Sequence, residues 1–365
     1  MKIILLSFYS GIVERGVETL VQALVQRLGP KHQILILQSG PVTQTDNCRQ
    51  IKVPYSGILT ITQPEKLFRK LFLDLQSLKI LFFTIKTMPV IHSQHPDVII
   101  PLNGGWQSLL IKLYSIIFKS KMVITGQAGL GWDEKWNLLL RPSLYVAISK
   151  RNYHWAKKLY PQQKYAIIFN GVDLDKFSSA PSSPIKKSLH QQIDHLPKPL
   201  ILCVAGPETY KRVHCTINAV ARLPSTGLLV VGGSQATNKL GSKLLGNSYM
   251  QLKIAHQDMP SIYSRADIFT LVSEPTEAFG IAYIEAMACN LAVVAPNDSL
   301  RKELIGPAGI YVNHPQDSLQ YSQKLQQALK KNWGNIPRKQ ATKFNWNKIA
   351  VQYEQEIMQL QQIVI

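Results

Sequence analysis

The chain has 365 residues, enough for two domains that each bury a core of their own. Hydrophobic residues make up 45% and charged ones 17%, which excludes a disordered polymer. With 41 Lys and Arg against 22 Asp and Glu the formal charge is +19 and the pI near 9.7. Such a field suits nucleotide phosphates, an acidic membrane surface or nucleic acid, and does not choose among them.

The run Ile3-Ile4-Leu5-Leu6 behind Met1-Lys2 is too short for a signal-peptide core and lacks a small-residue cleavage site. It reads as a first strand of a cytoplasmic protein. A helical pattern follows in Leu20, Ala23, Leu24 and Leu28, then a strand at Ile34–Leu37. The segment Pro64–Met88 opens on Lys66, Arg69 and Lys70 and is dense in Leu, Ile and Phe. Asp74, Gln76, Ser77 and Lys79 interrupt it, so it offers no run of ~20 apolar residues to span a bilayer. Two readings stand side by side: a core helix, or an interfacial helix with a cationic flank.

Val98–Pro101, Met122–Thr125, Leu144–Ile148 and Ala166–Phe169 are further strands, most with a helix-like stretch behind them. Strand and helix in alternation imply a parallel sheet covered on both faces. The turn-rich stretch Ser178–Pro184, with Pro197 and Pro199 after it, is the natural domain boundary. The pattern restarts at Leu200–Ala205 and continues through Leu228–Val231, Ile268–Val272 and Ala292–Ala295. The expected architecture is therefore α/β. It has two doubly wound, Rossmann-like domains, 1–180 and 181–345, facing each other across a cleft at the carboxyl ends of their strands, and a terminal helix over 346–365. That helix is marked by Ile349, Tyr353, Ile357 and Leu360.

The four cysteines form no C-x-x-C pair and read as buried thiols in a reducing compartment. Asp173-Leu174-Asp175 reads as a turn and capping pair, and no metal site is assigned among the histidines or carboxylates.

The chemistry concentrates in Ser273–Ala288. A strand runs through a Pro/Thr turn into a helix expected to begin near Ala278–Phe279. Gly280 lets a ligand approach the backbone, and the first helical N–H groups can hold an anion. Glu277 stands at the mouth of the turn, and Glu285 lies about two helical turns further on. One carboxylate suits sugar hydroxyls and the other ribose hydroxyls; the plainer reading makes them a cap partner and a solvated helix residue.

This stretch resembles the signature of glycosyltransferase family 4, in which two glutamates flank a Phe-Gly. Asn170-Gly171-Val172-Asp173 with Phe177, Val146-Ala147-Ile148-Ser149, Gly16-Val17-Glu18, and Lys211-Arg212 after the strand at Leu200 are similar to further elements of that family. The resemblance covers nearly the whole chain. It implies the GT-B fold and a metal-independent hexosyltransferase that retains the anomeric configuration, with a nucleotide-diphosphate sugar as donor substrate and no other cofactor. It gives Glu277 the donor-sugar hydroxyls and Glu285 the ribose. Backbone N–H groups of Phe279, Gly280 and Ile281 go to sugar and phosphate, Lys211 and Arg212 to the leaving diphosphate, and Gly16 to the amino-terminal loop.

Three positions depart from the family pattern. Arg15-Gly16 stands for Gly-Gly, Gly206-Pro207 replaces a glycine–arginine pair, and Gln127 occupies the place of a histidine. Gln127 can donate to a sugar hydroxyl but does not titrate.

The implied setting is polysaccharide or glycolipid assembly, with a glycan or lipid-linked acceptor and peripheral contact with an anionic membrane surface on its inner face. A catalytically silent sugar-nucleotide- or membrane-binding module of the same fold is the alternative, and a nucleotide-sugar epimerase a further one. Nucleic acid is not expected, because the basic residues are dispersed and no helix-turn-helix stands out.

Overall fold

The computed structural model describes all residues except 14–15, 43–47, 55–68, 181–186 and 363–365. The chain divides into two compact units, Met1–Asn170 with Asn347–Ile365, and Gly171–Trp346. Residues 171–180 thus go with the second unit, and the last helix returns to the first.

The first unit holds seven strands: β1 (Lys2–Ser7), β2 (Gln33–Gln38), β3 (Arg49–Lys52), β4 (Val98–Pro101), β5 (Lys121–Thr125), β6 (Leu144–Ala147) and β7 (Tyr165–Ile167). They are all parallel, in the order β3-β2-β1-β4-β5-β6-β7. Pairing of Ile3 with Ile34 and Leu6 with Leu37 sets the register of β1 on β2. β4 and β6 are buried along their full length, which is why they read as unbroken apolar runs instead of alternating ones. The terminal helix Trp346–Gln362 is tied to this unit by Glu354, which accepts from Lys31 at 2.9 Å and pairs with His32 at 3.1 Å. Tyr353, Ile357 and Leu360 are buried, as their spacing predicts.

Asp74 caps the helix Leu75–Gln94 by accepting from the N–H groups of Gln76 and Ser77. Phe83, Thr84, Thr87 and Ile91 form its buried face, while Leu75, Phe82 and Ile85 are exposed. The core-helix reading therefore describes one face of this helix, and the other face carries exposed apolar side chains. Arg69 and Lys70 are exposed; Lys66 lies outside the described residues. Among the described residues no helix is long and apolar enough to cross a membrane.

The second unit holds β8 (Leu200–Ala205), β9 (Gly227–Gly232), β10 (Tyr249–Leu252), β11 (Ile268–Thr270), β12 (Ala292–Pro296) and β13 (Gly309–Val312), parallel and in the order β10-β9-β8-β11-β12-β13. Each sheet reverses its direction of growth once, between β1 and β4 in the first unit and between β8 and β11 in the second. The loops leaving such a strand pair diverge to opposite faces and open a crevice at the strands' carboxyl ends.

Candidate active site

In the second unit the two loops at the reversal carry most of the expected residues. The loop after β8 makes a 3-10 turn at Thr209–Lys211 and passes through Arg212, whose left-handed backbone (φ 53°) starts the helix Val213–Val220. The loop after β11 runs from Leu271 to Gly280. A backbone bond joins the two loops, Glu274 N–H to Tyr210 O at 2.8 Å.

Their side chains pair across the same seam. The Lys211 ammonium donates to Glu277 Oε2 at 2.5 Å, and the Arg212 guanidinium lies 3.2 Å from Glu274 Oε1. Burial alone lowers the affinity of Lys211 for its proton, but the charge and hydrogen bond of Glu277 outweigh it and hold the ammonium above its ordinary range. Lys211 also lies over the Tyr210 ring, 5.0 Å from its centroid.

Arg301 was invisible to sequence reasoning. It is fully buried in the helix Ser299–Ile305 and holds the β11 loop from behind. Its guanidinium donates to Ser273 Oγ at 2.7 Å, Glu274 O at 3.1 Å and Asp298 Oδ2 at 2.9 Å. Only its separation of 28 residues from Ser273, with no local pattern between them, kept it hidden.

The helix begins later than expected, at Ile281, and runs to Ala288. Gly280 is its N-cap with φ 91°, and a Cβ there would sit 2.6 Å from the Tyr283 ring. Backbone conformation and that ring explain the glycine without a ligand. Phe279 is buried and meets Phe344 edge-on at 6.4 Å. Glu285 is buried too, and not solvated: Oε1 lies 2.9 Å from His256 Nε2, and Oε2 accepts from the Tyr263 hydroxyl at 2.9 Å. Each oxygen keeps lone-pair capacity for a ligand hydroxyl. Lys211, Arg212 and Glu277 are thus brought together, whereas Glu285 belongs to a neighbouring cluster with His256 and Tyr263.

Gly16 and Gln127 belong to the first unit. Gly16 is the first residue of the helix Gly16–Leu28; Arg15 lies outside the described residues. Gln127 follows β5, and its amide forms a reciprocal pair with that of Asn170, at 2.8 and 3.0 Å. One N–H of Gln127 remains beyond that pair. Asp173 accepts from the N–H groups of Asp175 and Lys176, both at 3.0 Å, which makes it a turn residue.

Residues 186–347 match the family described as glycosyl transferases group 1. Two curated relatives are similar over part of the chain. One is a GDP-mannose-dependent alpha-(1-6)-phosphatidylinositol monomannoside mannosyltransferase of Mycolicibacterium smegmatis, 26% identical over 34% of this chain and 36% of that protein. The other is a D-inositol 3-phosphate glycosyltransferase of Mycobacteroides abscessus, 27% identical over 35% of this chain and 30% of that protein. The chain thus spans about a third of the length of the curated relatives it matches. Among solved structures, sucrose-phosphate synthase from Thermosynechococcus elongatus superposes with a TM-score of 0.80 at 20% identity, covering 98% of both chains. Anabaena HepE in complex with UDP and glucose gives 0.75 at 18% identity, covering 98% of this chain and 99% of its own. These likenesses establish the GT-B fold.

Proposed function

From the group 1 glycosyl transferase domain that residues 186–347 form, we propose that the chain is a retaining hexosyltransferase acting from a nucleotide-diphosphate sugar. The observation that carries the reading is the pair of cations, Lys211 and Arg212, gathered with Glu277 where the sheet reverses between β8 and β11. When the bond from the anomeric carbon to the diphosphate breaks, negative charge grows on the departing phosphate oxygen. Two cations and the N-terminus of the helix Ile281–Ala288 stabilise that charge without reorganising. Glu277, held by Lys211, is oriented to accept from sugar hydroxyls, and Glu285, held by His256 and Tyr263, from those of a ribose. Retention rests on the resemblance of the two-glutamate motif to its family.

The relatives' names and the HepE complex suggest GDP-mannose and UDP-glucose as the donors to try first. The acceptor is a glycan or a lipid-linked sugar, and reaction proceeds without metal. Exposed Phe82 and Ile85 on one helix, and Ile116, Ile117 and Phe118 on the helix Gly104–Phe118 packed beside it, support docking on an anionic membrane, given the charge of +19.

The test incubates the chain with each donor and an acceptor panel in excess chelator and follows nucleoside diphosphate release and the anomeric configuration of the product. Release with retention is the expected result. No release from any donor, inversion, or strict dependence on added manganese would overturn the reading.

A further inference from the structure

A carboxylate that is to accept two ligand hydroxyls must be turned one way and kept there. For Glu285 the Tyr263 hydroxyl is one fixed point. Burial, and after it the charge and hydrogen bond of Glu285, push that hydroxyl well above its ordinary range, so it remains a phenol that donates to Oε2. The second fixed point is His256, first residue of the 3-10 turn His256–Asp258 that follows β10.

The two ring nitrogens of His256 face opposite kinds of partner. Nε2 lies 2.9 Å from Glu285 Oε1, and Nδ1 lies 3.5 Å from the Lys176 ammonium. A carboxylate has no hydrogen to give and an ammonium no lone pair. The tautomer that satisfies both carries its hydrogen on Nε2 and leaves Nδ1 bare.

Lys176 is presented by a turn that is itself held. Asp173 Oδ1 accepts the Lys176 N–H at 3.0 Å, and Phe177 N–H closes on Asp173 O at 2.8 Å. Arg338 clamps the same turn, donating to Phe177 O and, at 2.7 Å, to Leu174 O. The buried ring of Phe177 meets His256 at 5.7 Å and Tyr263 at 5.9 Å. One turn therefore supplies both the ammonium that faces the imidazole and the ring that packs on it.

We propose that Lys176 and His256 are positioning residues for Glu285: the ammonium pins the imidazole by its bare Nδ1, Nε2–H then holds the carboxylate, and the site thereby favours a ribose with both hydroxyls over a deoxyribose. With Tyr263 on one oxygen and His256 on the other, each oxygen keeps an acceptor place, a match to two vicinal hydroxyls. Freed from His256, the carboxylate can turn about the Tyr263 bond and no longer offers both places together. The pinned ring stands on geometry alone; its link to ribose rests on the transferase reading.

Calorimetry with UDP and its 2′-deoxy and 3′-deoxy forms, and with the same three forms of GDP, reads the preference as a ratio of affinities. The unaltered protein should favour the full ribose by about ten- to a hundredfold, the range of one hydrogen bond to a charged group. His256→Ala should lose most of that preference and Lys176→Met a smaller part. His256→Gln, whose amide can still donate to Glu285, and Lys176→Arg, still a pure donor, should keep most of it. A lysine that merely held phosphate, or a merely structural role, would weaken all forms alike. Unchanged ratios in His256→Ala or in Lys176→Met would therefore overturn the proposal. Nitrogen NMR of the imidazoles needs no ligand, and His256 is identified by the signals that His256→Gln removes. Hydrogen on Nε2 with a bare Nδ1 is the expected pattern at neutral pH; hydrogen on Nδ1 would overturn the pinned ring whatever the nucleotides do. Failure of both UDP and GDP to bind would overturn the transferase reading and with it the ribose link, while the NMR pattern still decides the ring.

Discussion

The Lys211 ammonium and the Glu277 carboxylate hold each other at 2.5 Å, both mostly withdrawn from water. The proposed function makes each a donor-binding group, and on that proposal the pair acts as a pre-oriented clamp whose members would exchange part of their mutual bond for sugar and phosphate. Removing one member leaves the other buried without its counter-charge, which costs more than removing both. A double-mutant cycle of Lys211→Met and Glu277→Gln, measured by urea unfolding, should therefore show a coupling of ~1–3 kcal/mol. Additive losses would sink the clamp. Because the folded-state ammonium titrates above its ordinary 10.5, the pair's contribution is complete below that value and fades only as pH rises through the folded one. The stability gap between the unaltered protein and Lys211→Met should stay flat from pH ~6 to ~9.

The cations have a separate test in the product. Lys211→Ala and Arg212→Ala should each lower turnover by ~10²-fold, equivalent to ~3 kcal/mol of lost transition-state stabilisation, and weaken binding of the free nucleoside diphosphate. Calorimetry reads the second effect without any catalysis. Full product affinity in both variants would remove them from the diphosphate site.

Arg301 never needs to touch a ligand to matter. Arg301→Lys keeps the charge but cannot reach Ser273, Glu274 and Asp298 at once, so the β11 loop loses its backing. The expected result is a loss of ~2–4 kcal/mol in unfolding free energy together with weaker nucleotide binding. A variant as stable and as tight-binding as the unaltered chain would show that the loop holds itself.

Burial pushes the Glu134 carboxyl from 4.5 up to about 7, against the hydrogen bonds of Ala128, Tyr145 and Asn137. The folded chain therefore binds a proton at this site that the unfolded chain has already released, and its stability falls as pH rises between those two values. Glu134→Gln should remove that slope, up to ~1.4 kcal/mol per pH unit, in unfolding curves taken from pH ~5 to ~7. Identical slopes in the two proteins would assign the proton elsewhere.

Membrane docking predicts co-sedimentation with anionic vesicles, release by salt, and little binding to neutral ones. Replacing Arg69 and Lys70 by Gln should weaken it by ~1 kcal/mol per charge, and Ile116→Ser with Ile117→Ser should weaken it further. Equal recovery on neutral and anionic vesicles would disconnect the charge from the surface.

The interior strands were legible because burial on both faces forces continuous apolar runs, as in Val98–Pro101 and Leu200–Ala205, whose bounds match those expected. β3, β10 and β13 were missed. All three are edge strands with partly exposed residues, and Arg49–Lys52 has no apolar run to recognise. Within the candidate site, Glu277 and Glu285 stood out because their spacing is local. Which side chains pair was not legible, and His256 was missed altogether: Lys211 lies 66 residues from Glu277, His256 lies 29 from Glu285, and Asn170 lies 43 from Gln127. Such pairs exist only because parallel crossovers return distant loops to one end of a sheet.

The return of the last helix to the first unit makes the second unit an insertion, a cassette spliced into a loop of its host. Its two ends are already stitched: Val172 bridges to Asn345, with Val172 N–H on Phe344 O at 2.7 Å and Trp346 N–H on Val172 O at 3.3 Å. Chain enters and leaves the cassette as neighbouring strands do, ~5 Å apart. Residues 171–346 can therefore be lifted out as one piece, and a linker of a few residues from Asn170 to Asn347 can close the host around its own terminal helix. A cut placed at the middle of the sequence would instead strip that helix from the unit it completes.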